Sequence, residues 1–151
     1  MFGERRIMLI LLALRLYPIT LSSRREAIRD TVLPTGGGED GQSHILVKKG
    51  WTVMTNIHAL HRRKDIYGDD AEDFKPERWE SLRQNWHYVP FSGGPRICPA
   101  QQLALTEASY TMYRLLLKFK ENRSCDDRPW TENIKVTVSN KNGVSISLIP
   151  A

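Results

Sequence analysis

The feature that most constrains this chain is the stretch Phe91-Ser92-Gly93-Gly94-Pro95-Arg96-Ile97-Cys98-Pro99-Ala100, which delivers a lone cysteine to the place where a loop becomes a helix. Gly93 and Gly94 allow backbone angles closed to other residues, Pro95 stiffens the loop, and Pro99 suits the first turn of the helix that follows. Cys98 is then expected beside unpaired helix N–H groups. Those groups and the helix dipole favour a negative sulfur, so the residue reads as a ligand or nucleophile rather than an inert core thiol. Arg96, two residues earlier, adds a nearby cation.

A second cluster is Phe74-Lys75-Pro76-Glu77-Arg78-Trp79, whose aromatics bracket a charged pair, and a third is Leu14-Arg15-Leu16-Tyr17-Pro18. With the cysteine loop, these occur in an order and spacing that resembles the heme-thiolate monooxygenases, the cytochrome P450 superfamily. The loop pattern of that family runs Phe-x-x-Gly-x-Arg-x-Cys-x-Gly. Phe91, Gly94, Arg96 and Cys98 fall on its specified positions, and Ala100 replaces the closing glycine, a change expected to be tolerated with slightly altered packing. The resemblance implies heme b as cofactor, with Cys98 as the axial iron ligand and Arg96 on a heme propionate. An axial thiolate pushes electron density through iron to favour O–O cleavage, and loop N–H groups aimed at the sulfur tune it.

The same resemblance makes Arg15 the end of a Glu-x-x-Arg helix, in which a carboxylate joins the helix arginine to a second one in the Pro-Glu-Arg-Trp segment. Here the acid position holds Leu12, so Arg15 and Arg78 are present without the acid between them. They are expected to splay toward water or borrow Glu77. Arg25, aligned on Leu33-Pro34, falls where family members place another propionate-binding arginine; the plainer reading is a surface arginine.

Length and composition permit this reading without naming it. The chain has 151 residues, 40% hydrophobic and 26% charged, an ordinary balance for one globular domain. Its +5 net charge arises from 22 Lys and Arg against 17 Asp and Glu, spread without a long basic block. That pattern argues against a nucleic-acid partner and suits either a solvated surface or a docking face for an acidic electron donor. Two cysteines make no secreted disulfide framework, so a reducing compartment and a free, dispensable Cys125 are expected.

Residues 1–13 read as an atypical apolar segment: a charged tip, Glu4-Arg5-Arg6, then the run from Ile7 to Leu14, too short to span a bilayer, which needs about 20 apolar residues. A buried helix ended by Pro18 is expected, with a truncated or wrongly joined start as the explanation of its unusual composition. Residues 14–151 carry the resemblance and are expected to form the C-terminal, heme-binding portion of the fold.

Val32-Leu33-Pro34 reads as a short strand and its stop, and Gly36-Gly37-Gly38-Glu39-Asp40-Gly41 as a flexible loop without the context of a phosphate cradle. It resembles a glycine-rich insertion of fungal members that hydroxylate alkanes and fatty acids. The segment from His44 to Met54 reads as two strands around a Lys-Gly turn. His58 and His61 have a spacing that could serve a metal, but no nearby acid or cysteine completes a ligand set; the pair His61-Arg62 resembles a family feature whose plain role is packing. Asp69-Asp70-Ala71-Glu72-Asp73 reads as an acidic surface run, and the path from Trp79 to Pro90 as the irregular meander before the cysteine loop.

After Cys98, Ala104, Ala108, Met112, Leu115 and Phe119 recur at helical steps, predicting a helix from Gln101 to Lys118 with a core-facing stripe. Ile134, Val136 and Val138, then Val144, Ile146 and Leu148, alternate around Asn140-Lys141-Asn142-Gly143, predicting a C-terminal hairpin.

The expected fold is therefore mixed α and β, an incomplete C-terminal part of the heme-thiolate fold: helix, β hairpins, meander, cysteine heme loop, long helix and terminal hairpin. By resemblance, the parent reaction inserts one atom of O2 into an unactivated C–H bond of a small hydrophobic substrate of the alkane or fatty-acid type. Its electrons come from NADPH through a cytochrome P450 reductase at the cytosolic face of the endoplasmic reticulum, or in the cytoplasm if no anchor exists. The sequence shows no acid-threonine helix of the kind the family uses for proton delivery, so this chain alone is expected not to turn over. Two rival readings stay open: a truncated, non-catalytic product with weak or no heme binding, and an unrelated small protein with a redox-reactive Cys98.

Overall fold

The computed structural model describes residues 2–82 and 85–151, with the side chains of residues 2–6 left out, so the charged tip Glu4-Arg5-Arg6 lies outside the described side chains. The chain is mixed α and β and divides into two compact units: Ser22–Asn56, and Met1–Leu21 with Ile57–Ala151.

The smaller unit is a pair of nested antiparallel ladders. Strand β1 (Ser22–Glu26) pairs with β4 (Thr52–Asn56), and inside that pair β2 (Thr31–Gly37) meets β3 (Ser43–Val47). The predicted strands around the Lys-Gly turn exist, but they do not pair with each other: β3 runs back along β2 and β4 along β1. Asp30 explains the crossover, since its carboxylate accepts from the Lys49 amide at 2.9 Å and from Lys48 Nζ at 3.0 Å, pinning the 48–50 turn beside the β1–β2 connection. Pro34 does not stop β2. It sits where the register shifts between Leu33 and Gly37, at an irregularity that spares it a ladder hydrogen bond. Gly37 is required there, because a Cβ would lie 2.8 Å from the His44 carbonyl oxygen.

The larger unit starts with α1 (Phe2–Leu16), ended as expected by a buried Pro18. Three single-turn helices follow, α2 (Ile57–Leu60), α3 (Lys64–Tyr67) and α4 (Arg78–Ser81), then the cysteine loop and α5 (Gln101–Lys118), whose bounds match the predicted periodicity. The core is built from Ile10, Leu12, Leu16, Ile57, Tyr67, Ala71 and Tyr88, and two polar residues share it, Arg15 and His61.

Two expectations are corrected in the C-terminal region. Strand β6 (Glu132–Ile134) pairs with β7 (Val138–Asn140), while β8 (Ile146–Pro150) pairs with β5 (Phe119–Ser124), the strand that continues out of α5. The Asn140 turn does form, with the Gly143 amide donating to the Asn140 carbonyl and the Asn140 side chain donating to Gly143 O at 2.7 Å. It redirects the chain to the open edge of β5 instead of closing a hairpin. The apolar stripe of α5 is also not core: no residue of the helix is buried, and Leu103, Tyr110, Leu116 and Leu117 are exposed.

The two arginines do not splay. Arg15 is fully buried at 0% exposure, and its guanidinium donates from Nη1 to the carbonyl oxygens of His61 (2.8 Å) and Ala71 (2.7 Å) and from Nη2 to that of Asp73 (3.3 Å). Its plane also lies over the Tyr67 ring, 4.8 Å from the centroid, a favourable placement for a desolvated cation. Arg78 donates to the carbonyls of Tyr67 and Asp70 and to Asp70 Oδ1 at 3.0 Å. Leu12, also at 0% exposure, packs where the family has an acid, and backbone carbonyls with Asp70, not Glu77, take over the acceptor role. Replacing Arg15 by Lys keeps the charge but loses the planar fork that reaches three carbonyls. The expected cost is about 2 kcal/mol or more, read as a lower urea midpoint at unchanged slope.

Candidate heme-thiolate loop

The meander and the cysteine loop are held by a small aromatic and polar hub. Tyr88 donates its hydroxyl to Leu11 O at 2.9 Å, stacks on His61 with centroids 5.2 Å apart, and meets Trp79 edge-on at 4.8 Å. Tyr67 donates to His87 O at 2.9 Å. Burial pushes both phenols above their ordinary range, so both remain donors at neutral pH.

From this hub the chain makes a tight descent to the cysteine. Ser92 adopts a left-handed backbone (φ 64°) and Gly94 another (φ 71°), and residues Gly94–Arg96 form one 3₁₀ turn closed by the Ile97 amide on Gly94 O at 3.1 Å. Gly93 is extended, and a Cβ there would come 2.4 Å from the Trp86 ring, so the indole rests directly on the glycine. The Cys98 amide donates to Phe91 O at 3.0 Å, tying the two ends of the loop together.

The helix begins slightly later than the sequence suggested. Pro99 precedes α5 instead of sitting in its first turn; Ala100 is the N-cap residue, and Gln101 N donates back to Cys98 O at 3.3 Å. Ala100 has φ −91° and ψ 10°, angles open to any L residue, so nothing in the backbone demands glycine there.

Cys98 is half-buried and free, as is the exposed Cys125, so no disulfide joins them. Arg96 is exposed and makes no hydrogen bond or ion pair among the described residues. Phe91 and Gly94 line a cavity of about 430 Å³, together with Leu11, Trp86, Ile97 and Leu105. Arg25 lies in the other unit, on β1, where its Nη1 donates to Ser23 Oγ at 3.0 Å and to Arg24 O at 2.8 Å. The loop thus brings Phe91, Gly94, Arg96 and Cys98 together within eight residues of chain. Its donor set fits a heme iron: one free thiol, a mainly apolar hollow and an uncommitted guanidinium.

His58 pairs with Glu132 (Nε2 to Oε1, 3.5 Å), while His61 turns inward to 0% exposure and accepts the Val89 amide on Nε2 at 2.9 Å. Burial, aided by the positive charges of Arg15 and Arg62, lowers His61 to about 4. Asp70, in the run read as surface, is the residue the sequence reading missed: Lys75 and Arg78 hold its carboxyl at about 2. Its only sequence signal is a pair of cations five and eight positions later.

A half-buried thiol, carried by a loop tied through Val89 and His61 to the buried Arg15, offers the kind of group that ligates a heme iron. The family described as Cytochrome P450 matches residues 12–146, and the chain belongs to it. It is 52% identical to cytochrome P450 monooxygenase fsdH of Fusarium heterosporum, over 90% of this chain and 24% of the relative. It is 50% identical to cytochrome P450 52A13 of Debaryomyces hansenii, over 89% of this chain and 27% of the relative. Cytochrome P450 52A3-A of Candida maltosa is 47% identical, with 89% and 26% covered. The chain spans about a quarter of the length of these relatives. Among the described residues no helix is long and apolar enough to cross a membrane.

The buried imidazole sets a pH dependence. Because His61 is shifted from its ordinary 6.5 down to about 4, the unfolded chain takes up a proton that the folded chain refuses between those values. Stability is full above pH 6.5 and falls as pH drops toward 4, by on the order of 3 kcal/mol from this residue. Below 4 its contribution levels off, while the depressed Asp70 extends the loss toward pH 2. Urea unfolding at pH 7, 5.5 and 4 measures the slope, and His61→Gln is expected to flatten it.

Proposed function

We propose that residues 14–151 are the heme-binding portion of a monooxygenase that hydroxylates an unactivated C–H bond with O2 and electrons from NADPH. The observation that carries this reading is the cysteine loop: a free Cys98 whose own amide is tied to Phe91 O, at the approach to α5, in a loop whose Phe91, Gly94 and Ile97 line a hollow. Heme b held by such a thiolate supplies oxygen activation when bound. In this assignment Cys98 would hold the iron, Phe91 and Gly94 would pack against the ring, and Arg96 would neutralise a propionate.

The chain's own residues contribute position and an apolar lining. The Ser92 and Gly94 turns shape the loop that carries the sulfur, while Trp86, Phe91 and Leu105 give the hollow its apolar lining. The substrate we propose is a small hydrophobic molecule of the alkane or fatty-acid type. Supporting this is the glycine-rich loop that opens between β2 and β3, which resembles an insertion of fungal alkane and fatty-acid hydroxylases. An NADPH–cytochrome P450 reductase is the proposed electron donor, at the cytosolic face of the endoplasmic reticulum.

The absorption spectrum of the reduced, CO-treated, heme-loaded chain tests the ligand. Cys98→Ser is expected to abolish the thiolate-type Soret band, and Cys125→Ser to leave it unchanged. The same spectrum from both variants would falsify the assignment.

A further inference from the structure

Three hydrogen bonds lead from the buried His61 to the amide of Cys98. The first is the Val89 amide donating to His61 Nε2 at 2.9 Å. The second runs from the Ser92 amide to the carbonyl of that same Val89, at 3.0 Å, and closes the turn in which Ser92 takes its left-handed conformation. The third is the Cys98 amide donating to Phe91 O, inside that turn, also at 3.0 Å. Val89 is therefore held on both sides of its Cα, by an imidazole through its N–H and by Ser92 through its carbonyl. Pro90, which follows, has no N–H to offer as a substitute.

The imidazole cannot easily move. Its own carbonyl accepts from Arg15, its amide donates to Ile57 O at 3.0 Å, and its ring lies against Tyr88. Accepting on Nε2 requires the neutral form with the proton on Nδ1, and Nδ1 is buried without a partner among the described residues. A core that leaves one nitrogen unsatisfied, when an apolar side chain would fill the same space, retains His61 for what the other nitrogen does.

We propose that His61 is a positioning residue for the cysteine loop: its neutral Nε2 fixes the Val89 amide, and through the Val89–Ser92 turn it sets the orientation of Phe91 O and hence of Cys98. The proposal deepens the ligand assignment above and rests on it only for its spectroscopic arm.

The test separates reach from polarity. Gln can place an acceptor where Nε2 lies, Asn is too short to do so, and Leu has no acceptor. In a Cys125→Ser background, the readouts are the alkylation rate of Cys98 by iodoacetamide and hydrogen–deuterium exchange of residues 89–98. The β5 and β8 strands serve as the internal control. His61→Leu and His61→Asn are expected to speed both loop readouts about tenfold, the cost of one lost hydrogen bond, with the strands unchanged. His61→Gln is expected to stay within about twofold of the parent on the same scale. In the heme-loaded chain, the thiolate band should broaden or shift for Asn and Leu and recover for Gln.

If Leu prevents folding, the Asn and Gln pair carries the comparison. Equal behaviour of Asn and Gln, or faster exchange spread evenly over loop and strands, would overturn the proposal. A parent chain lacking the thiolate band, with the apo readouts as expected, would instead count against the ligand assignment alone.

Discussion

One buried guanidinium organises the larger unit. Arg15 sits near the end of α1 and reaches the carbonyls of two separate segments, His61 on one and Ala71 and Asp73 on the other. A cation taken out of water is costly unless dipoles replace its hydration. Burial and the neighbouring Arg78 both push the Arg15 guanidinium below its ordinary range, which measures how much those carbonyl dipoles and the Tyr67 face must supply. Meeting that demand forces the α2 end, the 68–73 turns and the α1 end into one arrangement. His61, Tyr67 and Tyr88 are placed as a result, and the cysteine loop hangs from them.

The second arginine closes the frame from the other side. Arg78 opens the single-turn helix α4 and clasps the 67–70 backbone through two carbonyls and the Asp70 carboxylate. Trp79, next in sequence, meets Tyr88 edge-on, so the charged clasp and the aromatic hub are adjacent parts of one support. The absence of an acid at Leu12 is absorbed locally: a buried leucine adds to the apolar core, and the acceptors come from main chain and the Asp70 carboxylate.

How much of this was legible follows from what kind of signal each feature leaves. The helix Gln101–Lys118 was readable to the residue, because helical periodicity is local and its end coincides with the extended Phe119. The cysteine loop is marked in the sequence because Phe91, Gly94, Arg96 and Cys98 match the family's pattern at fixed spacing. Strand partners were not: alternation in 134–148 says that strands exist, while the open edge of β5 decides that β8 pairs with it. Nor could periodicity reveal that α5 buries none of its residues, since an apolar stripe does not state what covers it. The acceptors of Arg15 were invisible for a different reason. A backbone carbonyl belongs to every residue type, so no letter in the sequence marks it, whereas Asp70 was visible but read as one charge among several.

That last point has an evolutionary side. A clasp whose acceptors are main-chain oxygens does not depend on which side chains those positions carry, provided the backbone path is kept. Position 73, whose aspartate is exposed and contributes only its carbonyl to Arg15, is therefore open to neutral drift. The Arg15 clasp rests on one side chain, not on a matched pair. Substitutions at position 73 that keep the backbone path thus leave this anchor of the cysteine loop where it was.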